Sequence, residues 1–458
     1  MTALLYVLGI VLFLAGISVS IALHELGHLV PAKRFGVKVT KYMVGFGPTL
    51  FSRVRGETEY GIKALPLGGF ISMPGMYPPA EALDRPPRRP RLFAHTLEDA
   101  REFANEELAP GEEGRSFYAL SVPKRLVVMF GGPCVNLVLG ILLFAISLMG
   151  IGAPVPSTTV QTVVECAVPA SVAQERPEAE RNTCAPEDPL TPAWELGIQP
   201  GDRVVSVDGV PADDWDTLSD TIRQRAGSTV PVVLDRGGET LSLDVPIMLT
   251  ERPVQDEDGE PVLDADGNPR TEPAGFLGIG PTQEYQRQNP AQFAQRTWDA
   301  VGMTFHALLT LPAKLTELAE VAFTDKARAD DSPVGLVGVG RIAGEIVSTE
   351  SVETASGTVI DVEVVDKVQS GLGLLASLNL FLFAFNMVPL LPLDGGHIAV
   401  ALYEGARRRI NRRRGRGPTG PFDTAKLLPL TYVVVGAFLC MTVLLLYVDI
   451  VKPIRLFG

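Results

Sequence analysis

Residues 4–28 read LLYVLGIVLFLAGISVSIALHELGH. Two histidines, His24 and His28, close a run in which residues 4–23 carry no charge. A run of that length is what a membrane-crossing helix requires. On a helix, residues four apart share a face, so His24 and His28 can hold one Zn²⁺. Glu25 beside them can take the proton of a water that the metal activates. A charged, metal-binding triplet inside an apolar span is costly unless it serves a function. The stretch therefore points to peptide hydrolysis within or at the edge of a lipid bilayer.

The remaining composition agrees with a chain divided between membrane and water. The 458 residues have a positive mean hydropathy although 20% are charged, and the formal net charge is −13. Net acidity argues against a nucleic-acid partner, because phosphate binding needs clustered basic surface. The N-terminus lacks the basic n-region of a cleaved signal, and its apolar run is too long for an h-region. Four segments reach spanning length, near 4–30, 126–151, 372–393 and 427–448. Lys33, Arg34, Lys38 and Lys41 follow the first, and Lys124 and Arg125 precede the second. Eight basic residues from Arg407 to Lys426 separate the last two, whereas 152–171 has none. The positive-inside rule then places 33–124 and 403–426 in the cytoplasm, and both termini and 152–371 outside. A further apolar stretch, 298–318, is interrupted by Asp299, His306, Pro312 and Lys314. It reads as an amphipathic helix within an outer segment, 286–370.

A catalytic zinc needs a third protein ligand. Glu57 and Glu59 lie downstream in a turn or strand start. Asp394 ends the third span in Asn386-Met387-Val388-Pro389-Leu390-Leu391-Pro392-Leu393-Asp394-Gly395-Gly396-His397. It is preferred, because broken backbone at membrane depth is tolerated only where it lines a site. The orientation also puts Asp394 at the inner end of its span, level with His24 and His28. His397 is the weaker candidate.

These paired motifs resemble the site-2 protease family of intramembrane zinc metalloproteases, in its bacterial branch with a PDZ domain. The likeness rests on His24, Glu25 and His28 and on Asn386, Pro389, Asp394 and Gly395. Gly131-Gly132-Pro133 with Asn136, and Pro333-Val334-Gly335, resemble further family segments. The resemblance implies a polytopic α-helical membrane protein with four transmembrane helices, a membrane-associated β-region and an extracytoplasmic PDZ-like α/β domain. It implies His24, His28 and Asp394 as zinc ligands, Glu25 as general base and Asn386 as a substrate-positioning residue. Gly45 and Gly47 of Val44–Pro48, and Gly69 of Leu65–Phe70, fall in the β-region that would receive an extended substrate. The implied partners are single-span membrane proteins, such as anti-sigma factors, cut after a site-1 cleavage in the bacterial inner membrane. Clearance of remnant signal peptides and a non-proteolytic membrane scaffold are the alternatives.

The organisation expected is a first span to residue 33 and a β-region over 34–125 with a flexible insertion at 80–114. A second span follows over 126–152. The PDZ domain is expected at 160–285, with a hairpin extension at 251–274. A third span over 371–397 carries Asp394, a basic loop covers 402–426, and a fourth span covers 427–450. Leu196-Gly197-Ile198-Gln199-Pro200-Gly201 resembles a PDZ loop whose backbone N–H groups receive peptide C-termini, which selects Leu196, Gly197, Ile198 and Gly201. Cys166 and Cys184 lie in the outer segment, where an oxidising compartment allows a disulfide.

Overall fold

In the computed structural model, the residues described are all except 1, 84–93, 170–171, 173–175, 177–182, 255–261, 263–269, 325, 330, 354–358, 416–419 and 455–458. The chain forms two compact units. One comprises Met1–Met149, Asn289–Thr349 and Val364–Gly458; the other comprises Gly150–Gln288 and Glu350–Glu363.

The first unit begins with α1 (Thr2–Arg34), whose apolar residues leave every backbone polar group to be satisfied within the helix. A long antiparallel hairpin follows, β1 (Lys41–Arg55) and β2 (Thr58–Ser72). Both strands bend, and residues 41–44 pair with 69–72 on one edge and with 59–62 on the other. Gly45 and Gly47 make the bend in β1 with φ of 96° and 84°, a backbone region open chiefly to glycine. Next come α2 (Ala94–Asn105) and α3 (Val122–Ala145), which runs on as a π-helical turn to Ile151. Beyond the second unit lie α6 (Pro290–Phe323), α7 (Leu336–Ser348), α8 (Val364–Asn386), α9 (Asp394–Arg413) and α10 (Leu428–Val451). Among the described residues, four helices are long and apolar enough to cross a membrane: Thr2–Arg34, Val122–Ile151, Val364–Asn386 and Thr424–Val451. The 34-residue α6 is not one of them. It starts with an Asn289–Gln292 capping box and exposes Trp298 and Leu309.

Glycines set how closely the helices of this unit approach. A Cβ on Gly27 would strike the Gly131 carbonyl, and one on Gly131 would strike that of Gly27, so α1 and α3 touch backbone to backbone. Small residues at such crossings are how apolar helices pack where no hydrophobic driving force separates them from lipid.

The structure corrects three sequence expectations here. Within the insertion expected to be flexible, the described residues include a packed helix. Arg101 on α2 donates two hydrogen bonds to Asp423 at 2.8 and 3.0 Å, both side chains buried. Glu107 accepts from Thr40, Ser72 and Lys41 beneath the hairpin. Pro-, Arg- and Glu-rich composition conceals this because the partners are distant in sequence. Secondly, the third span does not continue to Asp394. Helix α8 ends at Asn386, and Asp394 opens α9, since Pro389 and Pro392 cannot continue a helix. Thirdly, most of the described part of the basic loop at 402–426 is helical, to Arg413. Buried Glu404 holds it, accepting from Arg125 and Arg408, each at 2.6 Å, and from the Phe422 amide at 3.1 Å.

The second unit contains β3 (Ala153–Val163), α4 (Pro192–Glu195), β4 (Arg203–Val207), β5 (Val210–Pro211), α5 (Trp215–Gln224), β6 (Thr229–Arg236), β7 (Glu239–Pro246), β8 (Met248–Pro253), β9 (Thr271–Phe276), β10 (Ile279–Gln286), β11 (Ser351–Glu353) and β12 (Val359–Asp361). Its main sheet runs β10-β3-β4-β6-β7, with β5 against β4. The core is Val160, Val204, Leu218, Val232, Leu234 and Leu277, with their neighbours. The alternation of Val230, Val232 and Leu234 with outward residues on β6 is the period-2 pattern of a half-buried strand. Strands β8 and β9 pair as a hairpin whose tip lies outside the described residues. A disulfide joins Cys166 to Cys184, with Cα atoms 5.8 Å apart.

One functional expectation fails in this unit. The Leu196–Gly201 loop cannot receive a peptide carboxylate, because its amides are already used. Leu196, Gly197 and Ile198 donate to the carbonyls of Pro192, Trp194 and Ala193, Gln199 to Asp202 Oδ2, and Gly201 to the Val160 carbonyl. The loop is a helix end and a turn. Its clamp is Arg236, which donates to both Asp202 oxygens at 2.7 Å and holds that carboxyl below its ordinary pKa.

Two outcomes test this fold. Gly131→Val should cost about 1–3 kcal/mol by overpacking and lower the detergent melting temperature, whereas Gly436→Val, at a position with open space, should not. Thiol labelling of unreduced protein should modify Cys134 and Cys440 only, with Cys166 and Cys184 reacting after reduction.

Candidate metal centre

His24 and His28 lie one helical turn apart on α1, and both direct Nε2 at Asp394 of α9. The separations are 3.2 Å between the two Nε2 atoms, 3.4 Å from His24 Nε2 to Asp394 Oδ2, and 3.3 Å from His28 Nε2 to the same oxygen. A tetrahedral ion with ligands at about 2.0–2.1 Å holds them about 3.3–3.4 Å apart. The triangle therefore has the edge length that a zinc-sized tetrahedral site requires, and two imidazoles with one carboxylate leave a fourth position open. Among the described residues this is the one cluster of three such groups. Glu57 is engaged by Arg115 at 2.7 Å, and neither it, Glu59 nor His397 belongs to the cluster.

Each member is held by a named feature. His28 donates Nδ1–H to the Val128 carbonyl at 2.8 Å, which leaves Nε2 with its lone pair. A Cβ on Gly132 would run into the His28 ring, so this glycine makes the ring's space on α3. Asn136 faces His24 Nδ1 at 3.1 Å, and its Oδ1 is buried with no partner. Amide oxygen and nitrogen are assigned from hydrogen bonding. With Oδ1 toward the ring it accepts Nδ1–H and frees His24 Nε2. Asp394 is fixed by the fold-back of residues 387–393, and side chains on Gly395 or Gly396 would strike the backbone of Met387, Val388 or Leu390. As the first residue of α9 it also sits where the helix dipole favours a negative charge.

Glu25 is buried next to the triad, within direct charge interaction of His28, His24 and Asp394. Gly69 of β2 lies against it, since a Cβ there would press on Glu25 Cγ. Of the three glycines picked from the β-region, only Gly69 is brought to the acid; Gly45 and Gly47 shape the bend. Asn386 is the half-buried last residue of α8. Leu196, Gly197, Ile198 and Gly201 belong to the other unit. Sequence reasoning gave Asn136 no role, although its place one turn beyond Gly132 on α3 marks it. The Val128 carbonyl leaves no sequence signal at all.

Asp394→Asn removes the anionic corner and should abolish zinc retention in purified protein, measured by atomic emission. Full zinc occupancy would refute its role.

The model of peptidase family M50 matches residues 12–417. The zinc metalloprotease Rip1 of Mycobacterium tuberculosis is 35% identical over 99% of this chain and all of that protein. Rip1 of Mycolicibacterium smegmatis is 32% identical over the same shares. The zinc metalloprotease RasP of Shouchella clausii is 23% identical over 86% of this chain and 90% of that one. The chain belongs to peptidase family M50, the site-2 proteases.

Proposed function

We propose that this membrane-embedded zinc metalloprotease hydrolyses peptide bonds within or near the transmembrane segments of single-span proteins. The observation that carries the reading is the triangle of donor atoms, with Glu25 beside it, on a helix apolar enough to cross the bilayer. His24, His28 and Asp394 would hold the ion. Zinc supplies, when bound, a Lewis acid that acidifies water and polarises a carbonyl. Glu25 takes the proton of the attacking water and delivers it to the leaving amine nitrogen. Its side chain accepts no hydrogen bond from the described residues, so the carboxylate is free for that transfer. Asn136 and the Val128 carbonyl keep the imidazoles in the tautomers that ligation needs.

A helical substrate hides its carbonyls in hydrogen bonds and must unwind before attack. Residues 69–72 of β2 pair with β1 on one edge, and their other edge, beside Glu25, suits an added strand. Asn386 would then orient the extended backbone with a neutral amide, a donor suited to low dielectric. The substrates we favour are anti-sigma factors already trimmed by a site-1 protease, with remnant signal peptides as the alternative. The basic residues following span one and preceding span four support an orientation with both termini outside the cytoplasm. The second unit would act as a PDZ-like domain on the substrate's outer part.

Purified protein in detergent should cut a model single-span substrate, stop on addition of a zinc chelator, and recover with zinc. Glu25→Gln should keep its zinc and lose about 10²–10⁴-fold in cleavage rate. Undiminished cleavage by that variant would remove Glu25 as the base. Preserved cellular function without cleavage would favour the scaffold alternative.

A further inference from the structure

Behind the loop that seats Asp394, α9 and α10 leave a groove of about 390 Å³ between them. Gly396, Val400 and Tyr403 of α9 form one wall, Leu427 and Leu430 the other, and Pro389–Leu391 the floor. Tyr403 and Leu430 are exposed. Leu430 lies at the start of a helix apolar enough to cross a membrane, so hydrocarbon rather than water faces it. The Tyr403 ring meets Phe422 edge-on at 5.3 Å. A tyrosine there is suited to the boundary between lipid and water, where an apolar ring and a polar tip are both satisfied.

The groove changes character along α9. Gly396, Val400, Tyr403, Arg407 and Arg414 follow at helical spacings and share one face. That face is apolar to Tyr403 and cationic beyond it. Arg407 closes the rim, donating to the carbonyl of Gly420, two residues before Phe422. Exposed Lys426 borders the groove beside Leu427. Asp423, 3.7 Å from Lys426, is already held by buried Arg101, so the lysine's charge is not cancelled. Arg409, Arg412, Arg413 and Arg414 are exposed, and no carboxylate pairs with them among the described residues. The occupant of an apolar trench with a cationic mouth must join hydrocarbon to an anion. A free phosphate lacks the first, and a wholly apolar helix lacks the second.

We infer that this groove binds an anionic glycerophospholipid. One acyl chain lies along Leu390, Tyr403 and Leu430, driven by burial of its methylenes. The headgroup phosphate sits between Arg407 and Lys426, with Arg414 beyond them, as basic pockets between membrane helices hold anionic headgroups. The floor links the site to the metal centre. A Cβ on Gly396 would strike the backbone of Leu390 and Leu391, so the loop that seats Asp394 rests tightly on α9. A lipid packed against the other side of Pro389–Leu391 holds that loop in place and slows the loss of zinc.

The test uses full-length, zinc-loaded protein, delipidated in a neutral detergent and titrated with dioleoyl-phosphatidylglycerol or dioleoyl-phosphatidylcholine. Retained lipid is counted by native mass spectrometry. The two lipids share their chains and differ in net charge. Phosphatidylglycerol should be retained with a midpoint at least roughly ten-fold lower, as for charge-assisted contacts. Lys426→Gln combined with Arg414→Gln should erase that preference and leave phosphatidylcholine unaffected. Ala399→Trp, which fills the trench, should reduce retention of both. Phosphatidylglycerol should also slow zinc loss to a chelator, whereas inorganic phosphate should not. Because the lipid comparison uses unmodified protein, it stands even if a variant misfolds. Equal midpoints for the two lipids, or a preference kept by the double variant, would overturn the site. Phosphate that reproduced the effect on zinc would overturn the lipid in favour of a free anion. Zinc loss unchanged by phosphatidylglycerol would overturn the link to Asp394.

Discussion

Everything in the first unit answers to one constraint: three donor atoms must converge to about 3.3 Å of one another inside an apolar environment. Helical periodicity supplies two from a single segment at no structural cost. The third cannot come from α1 without a kink, so it is brought by a different stretch, and that stretch must stop being a regular helix to deliver it. Pro389, Pro392 and the Gly395-Gly396 pair break α8 and restart the chain as α9 with Asp394 first. The metal site is thus a junction between one unbroken helix and one interrupted one.

Holding such a junction requires close contact and paired charges. Gly27, Gly131 and Gly132 let α3 sit against α1, near enough for the Val128 carbonyl and Asn136 to reach the imidazoles. The far part of α9 is tied down by fully buried Glu404 with Arg125 and Arg408. Near the C-terminal end of α10, buried Asp449 accepts from Arg328 at 3.1 Å and from the Gly338 amide at 2.9 Å. Ser20 and Asn379 share a hydrogen bond at 3.0 Å between α1 and α8. Removing one partner of a buried ion pair costs about 3–5 kcal/mol, so these contacts specify helix placement strongly.

The sequence showed the chemistry more clearly than the architecture, for physical reasons. His24, Glu25 and His28 are neighbours on one helix, so spacing alone reveals them. Asp394 was legible because a carboxylate beside prolines and glycines is out of place at the end of an apolar run. That it begins a helix, rather than ending one, depends on the fold-back of 387–393. The packed helix at Ala94–Asn105 was hidden because Arg101 finds Asp423 more than three hundred residues later. The Leu196–Gly201 loop misled for a related reason. Glycine spacing says where backbone can turn, but only tertiary structure says which amides are already bonded.

Zinc X-ray absorption of the purified, unmodified protein tests the central claim most directly. Convergence of His24, His28 and Asp394 predicts one zinc per chain in a four-coordinate shell of nitrogen and oxygen at about 2.0–2.1 Å, with outer-shell scattering from two imidazoles. A sulfur ligand at about 2.3 Å, or scattering from one imidazole or none, would contradict it.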